Sequence, residues 1–490
     1  MAHIHGTFLL AGIIISLCLC TILNFASASL PNKPYRRSFI NPYPRFKAYH
    51  DKGNPGEPLY LTPMIEAKNI TAARTAAKVV DNRFHNVTSY AGYLTVDKRY
   101  NSNMFFWYFP AEYNQPYAPV VLWLQGGPGA SSLFGLFQEN GPFEFKKAKA
   151  HLERRAKYSW SEKMNLIYID NPVGTGFSFT DDDKGYSRNE RQVAKNLQEA
   201  VRQLFKLFDF ALVDGFWITG ESYAGKYIPA LAYYIHHNQN SVHNDVDIPL
   251  KGVAIGNGLS DPQNQLNYGD YLYQLGLLDI NSYRHFQILE QEAVDLIHEH
   301  DLAGAFDILD SLMNIDGKFN ASLFRNVTGY STYFNYLQPS YDEGEVGAMG
   351  TFLQSSDTRR AIHVGNKTFH DLDTENKVEE YLKEDVMDSV APWVADLLNY
   401  YTVCIYNGQL DIIVAYPMTV NYLQNLKFSS ADVYKIAKRD IWRVDKEVAG
   451  YKKRAGNLLE VMVRNAGHMV PRDQPKWMFD LITDLTGTKD

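Results

Sequence analysis

A chain of 490 residues, 45% hydrophobic and 14% aromatic, has ample material for a large buried core and is not the composition of a disordered protein. It is long for one ordinary core, so one large domain carrying a sizeable insertion is the expected organisation. A formal net charge of -7, from 48 basic and 55 acidic residues, leaves no basic footprint and argues against a nucleic-acid partner.

At the amino end, Phe8 to Phe25 is a nearly uncharged apolar run followed by Ala26-Ser27-Ala28, which reads as a secretory signal cleaved after residue 28. The run is long for a signal core and no Lys or Arg precedes it, so an uncleaved anchor is the alternative. No later stretch has the length and hydrophobicity of a membrane span. Two of the three cysteines, Cys18 and Cys20, lie in this segment, leaving Cys404 alone in the mature chain with no internal disulfide to form. A chain of this size can rely on burial instead of staples. Sequons at Asn69, Asn86, Asn320, Asn326 and Asn366 fit glycosylation during passage through the secretory pathway.

Residues 29–80 begin Pro-rich and polar, then turn Ala-rich, predicting a loose lead-in, a candidate propeptide, that ends in one helix over Ile65 to Val80. From 81 to 261 short apolar runs recur at Met104 to Phe109, Val120 to Leu124, Leu166 to Ile169, Phe216 to Thr219 and Val253 to Ile255. They read as buried strands. Val193, Leu197, Val201, Leu204 and Phe208 recur at helical spacing between them. Strands alternating with helices predict an α/β fold with a mostly parallel central sheet flanked by helices. Residues 262–377 lose that alternation and read as a mainly helical insertion, a lid over the cleft. Strands resume within 378–490, at Thr402 to Tyr406 and Leu459 to Arg464, before a closing helix through Met478, Leu481, Ile482 and Leu485.

The sharpest local signal is Gly220-Glu221-Ser222-Tyr223-Ala224-Gly225, directly after a strand and before a helix. A serine on such a tight turn is held exposed above the sheet, and small neighbours leave room for the bend. Ala224 stands where the general pattern has Gly. Serine needs an imidazole to take its proton and an acid to fix the ring's tautomer. Asp411 and His468 follow later strands in the order Ser, Asp, His that a hydrolase sheet imposes. Gln125-Gly126-Gly127-Pro128-Gly129 follows the Val120 strand, so the N–H groups of Gly127 and Tyr223 are the candidate oxyanion hole. Neither Walker spacing nor a dinucleotide fingerprint supports a phosphate loop there.

These segments resemble the serine carboxypeptidases, peptidases of the α/β-hydrolase fold. Besides the Ser222 turn, the resemblance is carried by Trp123 to Ser132, Asp170-Asn171-Pro172-Val173-Gly174-Thr175-Gly176-Phe177-Ser178, Asn407 to Asp411 and Gly467-His468-Met469-Val470-Pro471. It runs from about Ala91 to the carboxyl end. Gln125, Phe134 to Phe137 and Tyr90-Ala91-Gly92 are most similar to the animal vitellogenic-like branch, which includes insect venom carboxypeptidases. The resemblance implies a secreted or lysosomal exopeptidase that releases C-terminal amino acids from peptides or proteins, with no metal or other cofactor. It also implies that Glu139 and Glu221 form an acid pair binding the substrate's terminal carboxylate, completed by the Gly126 N–H and the Gln125 side chain. Two close carboxyls cannot both ionise cheaply, so the pair should hold a proton and favour acidic pH. The commoner family pattern has Asn at the position of Gln125 and Cys at that of Ala130.

Two other readings stay open. One is an acyltransferase on the same scaffold, and the other a secreted binding protein on a dead hydrolase framework. The remaining candidates are weaker: His236-His237 and His298-Glu299-His300 lack zinc-site spacing, and Asp181-Asp182-Asp183 has no calcium-loop pattern around it. Cys404 reads as a buried thiol.

Overall fold

The computed structural model describes residues 49, 51–145, 152–238, 246–314, 321–340, 343–370 and 377–489. The signal segment 1–28, the start of the lead-in and the sequon at Asn320 lie outside the described residues.

Among the described residues, twelve strands occur in chain order: β1 (Tyr90–Asp97), β2 (Ser102–Phe109), β3 (Val120–Leu124), β4 (Phe143–Phe145), β5 (Leu152–Arg154), β6 (Asn165–Ile169), β7 (Phe216–Glu221), β8 (Leu250–Gly256), β9 (Thr402–Gly408), β10 (Asp440–Val444), β11 (Glu447–Ala455) and β12 (Leu458–Val463). Ten of them form one sheet in the order β1-β2-β6-β3-β7-β8-β9-β12-β11-β10, while β4 and β5 pair separately. The run from β6 to β12 is parallel, with antiparallel strands at both edges. Every residue of β3, β6, β7 and β12 is buried, as a parallel sheet covered on both faces requires.

The helix predicted before the Phe216 strand is α1 (Glu190–Phe208). Asn189 caps it by accepting the Gln192 N–H, and its apolar residues Val193, Leu197, Val201, Leu204 and Phe208 are all buried. The next helix, α2 (Ala224–Asn238), starts two residues after Ser222 and is buried along most of its length. In the lead-in the expected single helix is broken into Thr62–Glu66 and Ile70–Ala77. Lys68 between them adopts φ 59°, a left-handed conformation that cannot continue a helix.

Among the described residues, the regular elements between β8 and β9 are all helical. They include α3 (Ile280–His298), α4 (Leu302–Met313), α5 (Glu343–Gln354) and α6 (Lys377–Met387). Helix α3 buries only Phe286, Glu290 and Ala293, so most of its surface faces solvent. The closing helix is α7 (Pro475–Thr486), with Met478, Leu481 and Ile482 buried. No helix among the described residues is long and apolar enough to cross a membrane.

Candidate active site

Strands β3, β7, β8, β9 and β12 are parallel and adjacent in the sheet, so the loops leaving their carboxyl ends share one edge. Ligand and catalytic groups in open parallel sheets collect there. That edge brings together Gln125 to Gly127 after β3, Ser222 after β7, Asn257 after β8, Asp411 after β9 and His468 after β12.

Ser222 has φ 66°, a left-handed backbone that costs a non-glycine residue roughly 1–2 kcal/mol. Backbone bonds fasten the turn: Ser222 N–H donates to Gly256 O at 2.9 Å, and Ser222 O accepts from the N–H groups of Gly225 and Leu259. A Cβ on Gly220 would lie 2.0 Å from Leu124 O, so no side chain fits two residues before the serine. Ala224 is fully buried, and its methyl group is accommodated where the general pattern has glycine. A Cβ on Gly126 would come within 2.5 Å of the Tyr223 nitrogen and 2.7 Å of Ser222 Cβ. The glycine loop is therefore pressed directly onto the serine turn.

The acid and the base are joined: His468 Nδ1 lies 2.9 Å from Asp411 Oδ2, and both side chains are fully buried. With Nδ1–H directed at the carboxylate, the lone pair of the neutral ring sits on Nε2. Asp411 also accepts from Asn257 Nδ2 at 2.7 Å and from the N–H groups of Ile413 and Val414 at 3.2 Å each. Asn257 in turn accepts the Gly408 N–H, which ties the end of β8 to the acid's loop.

His468 is seated by residues the sequence did not single out. Its N–H donates to Phe334 O at 2.7 Å, and the Phe334 ring stacks on the imidazole with centroids 5.3 Å apart. The same segment bonds the acid's loop: Ile412 N–H donates to Tyr333 O, and Tyr336 N–H to Leu410 O. Residues 333–336 thus strap the Asp411 and His468 loops together. Asn257 had a sequence signal, a polar residue closing an apolar strand; Phe334 had none, because its contact is made largely by a carbonyl in an irregular segment.

Glu139, Glu221 and Gln125 form a buried cluster beside the turn. Gln125 Nε2 donates to Glu221 Oε1 at 2.9 Å and to Glu139 Oε1 at 3.1 Å, while Gln125 Oε1 accepts the Trp123 indole N–H at 2.9 Å. The amide is therefore committed to aligning the two glutamates, rather than standing free as an extra donor. Burial pushes the Glu139 carboxyl up to about 7, with hydrogen bonding from Glu221 and Gln125 opposing it in part. With burial the largest influence on Glu139, the pair is suited to holding a proton.

Asp170, at the end of β6, braces the glycine loop from the other side. It accepts from Ser131 Oγ at 2.6 Å and from the Phe177 N–H at 2.8 Å, and burial raises its carboxyl to about 7. The other polar candidates have partners of their own. His236 pairs with the Tyr401 hydroxyl, His237 with Asp396, and Asp183 with Lys377. Among the described residues no cluster of His, Cys, Asp and Glu could hold a metal ion. Cys404 is buried in β9, which pushes its thiol up to about 12. Asn69, Asn86, Asn326 and Asn366 are all exposed.

Comparison with known proteins agrees with this arrangement. The family model for serine carboxypeptidases matches residues 80–487. The venom serine carboxypeptidase of Apis mellifera is 52% identical over 93% of this chain and 97% of its own. The vitellogenic carboxypeptidase of Aedes aegypti is 51% identical over 89% of this chain and 91% of its own. A prohormone-processing carboxypeptidase from Saccharomyces cerevisiae superposes with a TM-score of 0.69 at 24% identity, over 84% of this chain and 96% of its own, and shares the fold. With its mostly parallel α/β-hydrolase sheet and these relatives across nearly its whole length, the chain belongs to the serine carboxypeptidase family and is a serine-type peptide hydrolase.

Proposed function

We propose that the enzyme releases C-terminal amino acids through a Ser-His-Asp acyl-enzyme mechanism with an acidic optimum, in the secretory pathway, outside the cell or in the lysosome. Ser222 Oγ attacks the last peptide carbonyl carbon as His468 Nε2 takes its proton, and Asp411 holds the imidazolium that forms. The carbonyl π electrons move onto oxygen, which meets the N–H groups of Gly127 and Tyr223. Collapse of this intermediate breaks the C–N bond, His468 returns the proton to the departing amine, and the acyl group stays on Ser222. Water, deprotonated by His468, then cleaves the ester. The helical region at 262–377 covers the cleft as a lid.

The narrower exopeptidase reading is carried by one observation, the buried Glu139 and Glu221 joined by Gln125. A pair holding a proton donates a hydrogen bond to the substrate's terminal carboxylate, and the Gly126 N–H completes the contact. Gln125 acts by orienting the pair. Because Glu139 loses its proton near pH 7, carboxylate binding weakens as pH rises through that value. The secretory assignment is supported by the apolar run at Phe8 to Phe25, the exposed sequon asparagines and relatives described as venom and vitellogenic proteins.

The test offers a blocked dipeptide, its C-terminal amide and an ester between pH 4 and 8. The free acid should be cleaved best at the acidic end, with KM rising towards pH 8, while the amide and the ester lose that dependence. Equal cleavage of free and amidated peptide at all pH values would overturn terminal-carboxylate recognition. Retention of activity by Ser222→Ala would overturn the nucleophile.

A further inference from the structure

A second set of buried charged groups surrounds the side chain of Tyr223, away from the atoms that react. Its phenol hydroxyl donates to Asp385 Oδ2, 2.5 Å away on α6. Lys226, fully buried on α2, places Nζ 3.3 Å from the same oxygen and donates to the carbonyl oxygens of Asp385 and Asp388. The other Asp385 oxygen, Oδ1, accepts the Glu190 N–H at 3.1 Å, in the first turn of α1. The Tyr223 ring is held on two further sides, by Tyr227 edge-on at 5.1 Å and by Lys226 Nζ 5.7 Å from its centroid. Burial and the Asp385 charge hold the Glu190 carboxyl well above its usual range.

A buried ion pair is an expensive way to fill a core, since apolar side chains of similar size often stabilise as well or better. What this pair adds is a fixed acceptor for one hydroxyl. Tyr223 carries that hydroxyl at one end and, at the other, the backbone N–H adjoining the strained serine. The ring cannot turn without breaking the bond to Asp385, so fixing the phenol also fixes the direction of the N–H. An oxyanion donor is effective only when its direction is set before charge develops.

We propose that Asp385, clamped by Lys226, is the positioning residue of the Tyr223 oxyanion donor and links helix α6 to transition-state stabilisation. This rests on reading the Tyr223 N–H as an oxyanion donor. Tyr223→Phe removes only the hydroxyl and keeps the N–H; Asp385→Asn removes the charge and keeps an acceptor. Both are compared with the wild type for kcat and KM on a blocked dipeptide, inhibition by a peptidyl boronic acid that mimics the tetrahedral intermediate, inhibition by the blocked amino-acid product, and Tm.

Tyr223→Phe should lower kcat by about tenfold with KM within about twofold, weaken the boronate by the same factor and leave product binding unchanged. Asp385→Asn should move these values in the same direction, and the double variant should lose no more than the more impaired single variant. Wild-type boronate affinity in a folded Tyr223→Phe would overturn the proposal, as would equal weakening of boronate and product. If Asp385→Asn fails to fold, Tyr223→Phe decides alone. Failure of the underlying reading looks different: the wild-type enzyme itself would then be insensitive to the boronate, or active without Ser222.

Discussion

Two buried carboxyl sites lie at the same edge of the sheet and are built in opposite ways. Asp411 is ringed by donors: the Asn257 amide, two backbone N–H groups and the His468 imidazole. Glu139 and Glu221 share the neutral amide of Gln125. Burial is nearly complete at both, so burial does not distinguish them. The partners do: Asp411 is met by four hydrogen-bond donors, whereas the glutamates share an amide and burial pushes the Glu139 carboxyl up to about 7. On the proposed mechanism, orienting an imidazole and gripping a carboxylate are different tasks, which the same side-chain chemistry would serve through its neighbours.

The largest effect should come from spoiling the donor-rich site. Asp411→Asn keeps the shape but presents an amide to His468, favouring the wrong ring tautomer, and should lower kcat by about 10⁴-fold with KM little changed. Steady-state kinetics on a blocked dipeptide measure this, and a loss below tenfold would break the contrast. Next comes the proton-sharing site. Glu139→Gln removes one of the two acids, so the rise of KM between pH 6 and 8 should vanish, with KM for the free-acid peptide about tenfold higher at the acidic end. A pH profile identical to the wild type would remove Glu139 from substrate recognition.

The smallest effect concerns stability. Glu139, Asp170 and Glu290 all have folded values raised to about 7, by burial in each case. A folded state that binds more protons than the unfolded chain loses stability as pH rises, here between the ordinary carboxyl range and about 7. Tm should therefore fall between pH 5 and 7.5. Glu290 accepts the Gly269 N–H far from the triad in sequence, and Glu290→Gln keeps an acceptor there. That variant should show a shallower decline by a few degrees, measurable by thermal scans at both pH values; an unchanged slope would remove Glu290 from the set.

The parallel core was legible because its strands are buried on both faces and so read as unbroken apolar runs, as in Val120 to Leu124. Strands β10 and β11 were not, since Asp440, Arg443, Lys452 and Lys453 break the pattern at a half-solvated sheet edge. Ser222, Asp411 and His468 could be located because each follows a recognisable strand. The strap at 333–336 could not, as its hydrogen bonds come from backbone groups, which nearly any residue type supplies. Gln125 shows a third limit: its type was visible, but its double grip on two glutamates depends on how the side chain turns inside the fold.

That strap also bears on when the enzyme becomes active during its synthesis. Ser222 leaves the ribosome long before His468, and the histidine's seat is the carbonyl of Phe334, itself in a segment with no regular structure of its own. Contacts spanning so much chain close late in folding. On the proposed mechanism, Ser222 therefore waits without His468 until nearly the whole polypeptide is in place, and peptide-cleaving ability is among the last properties the nascent molecule acquires.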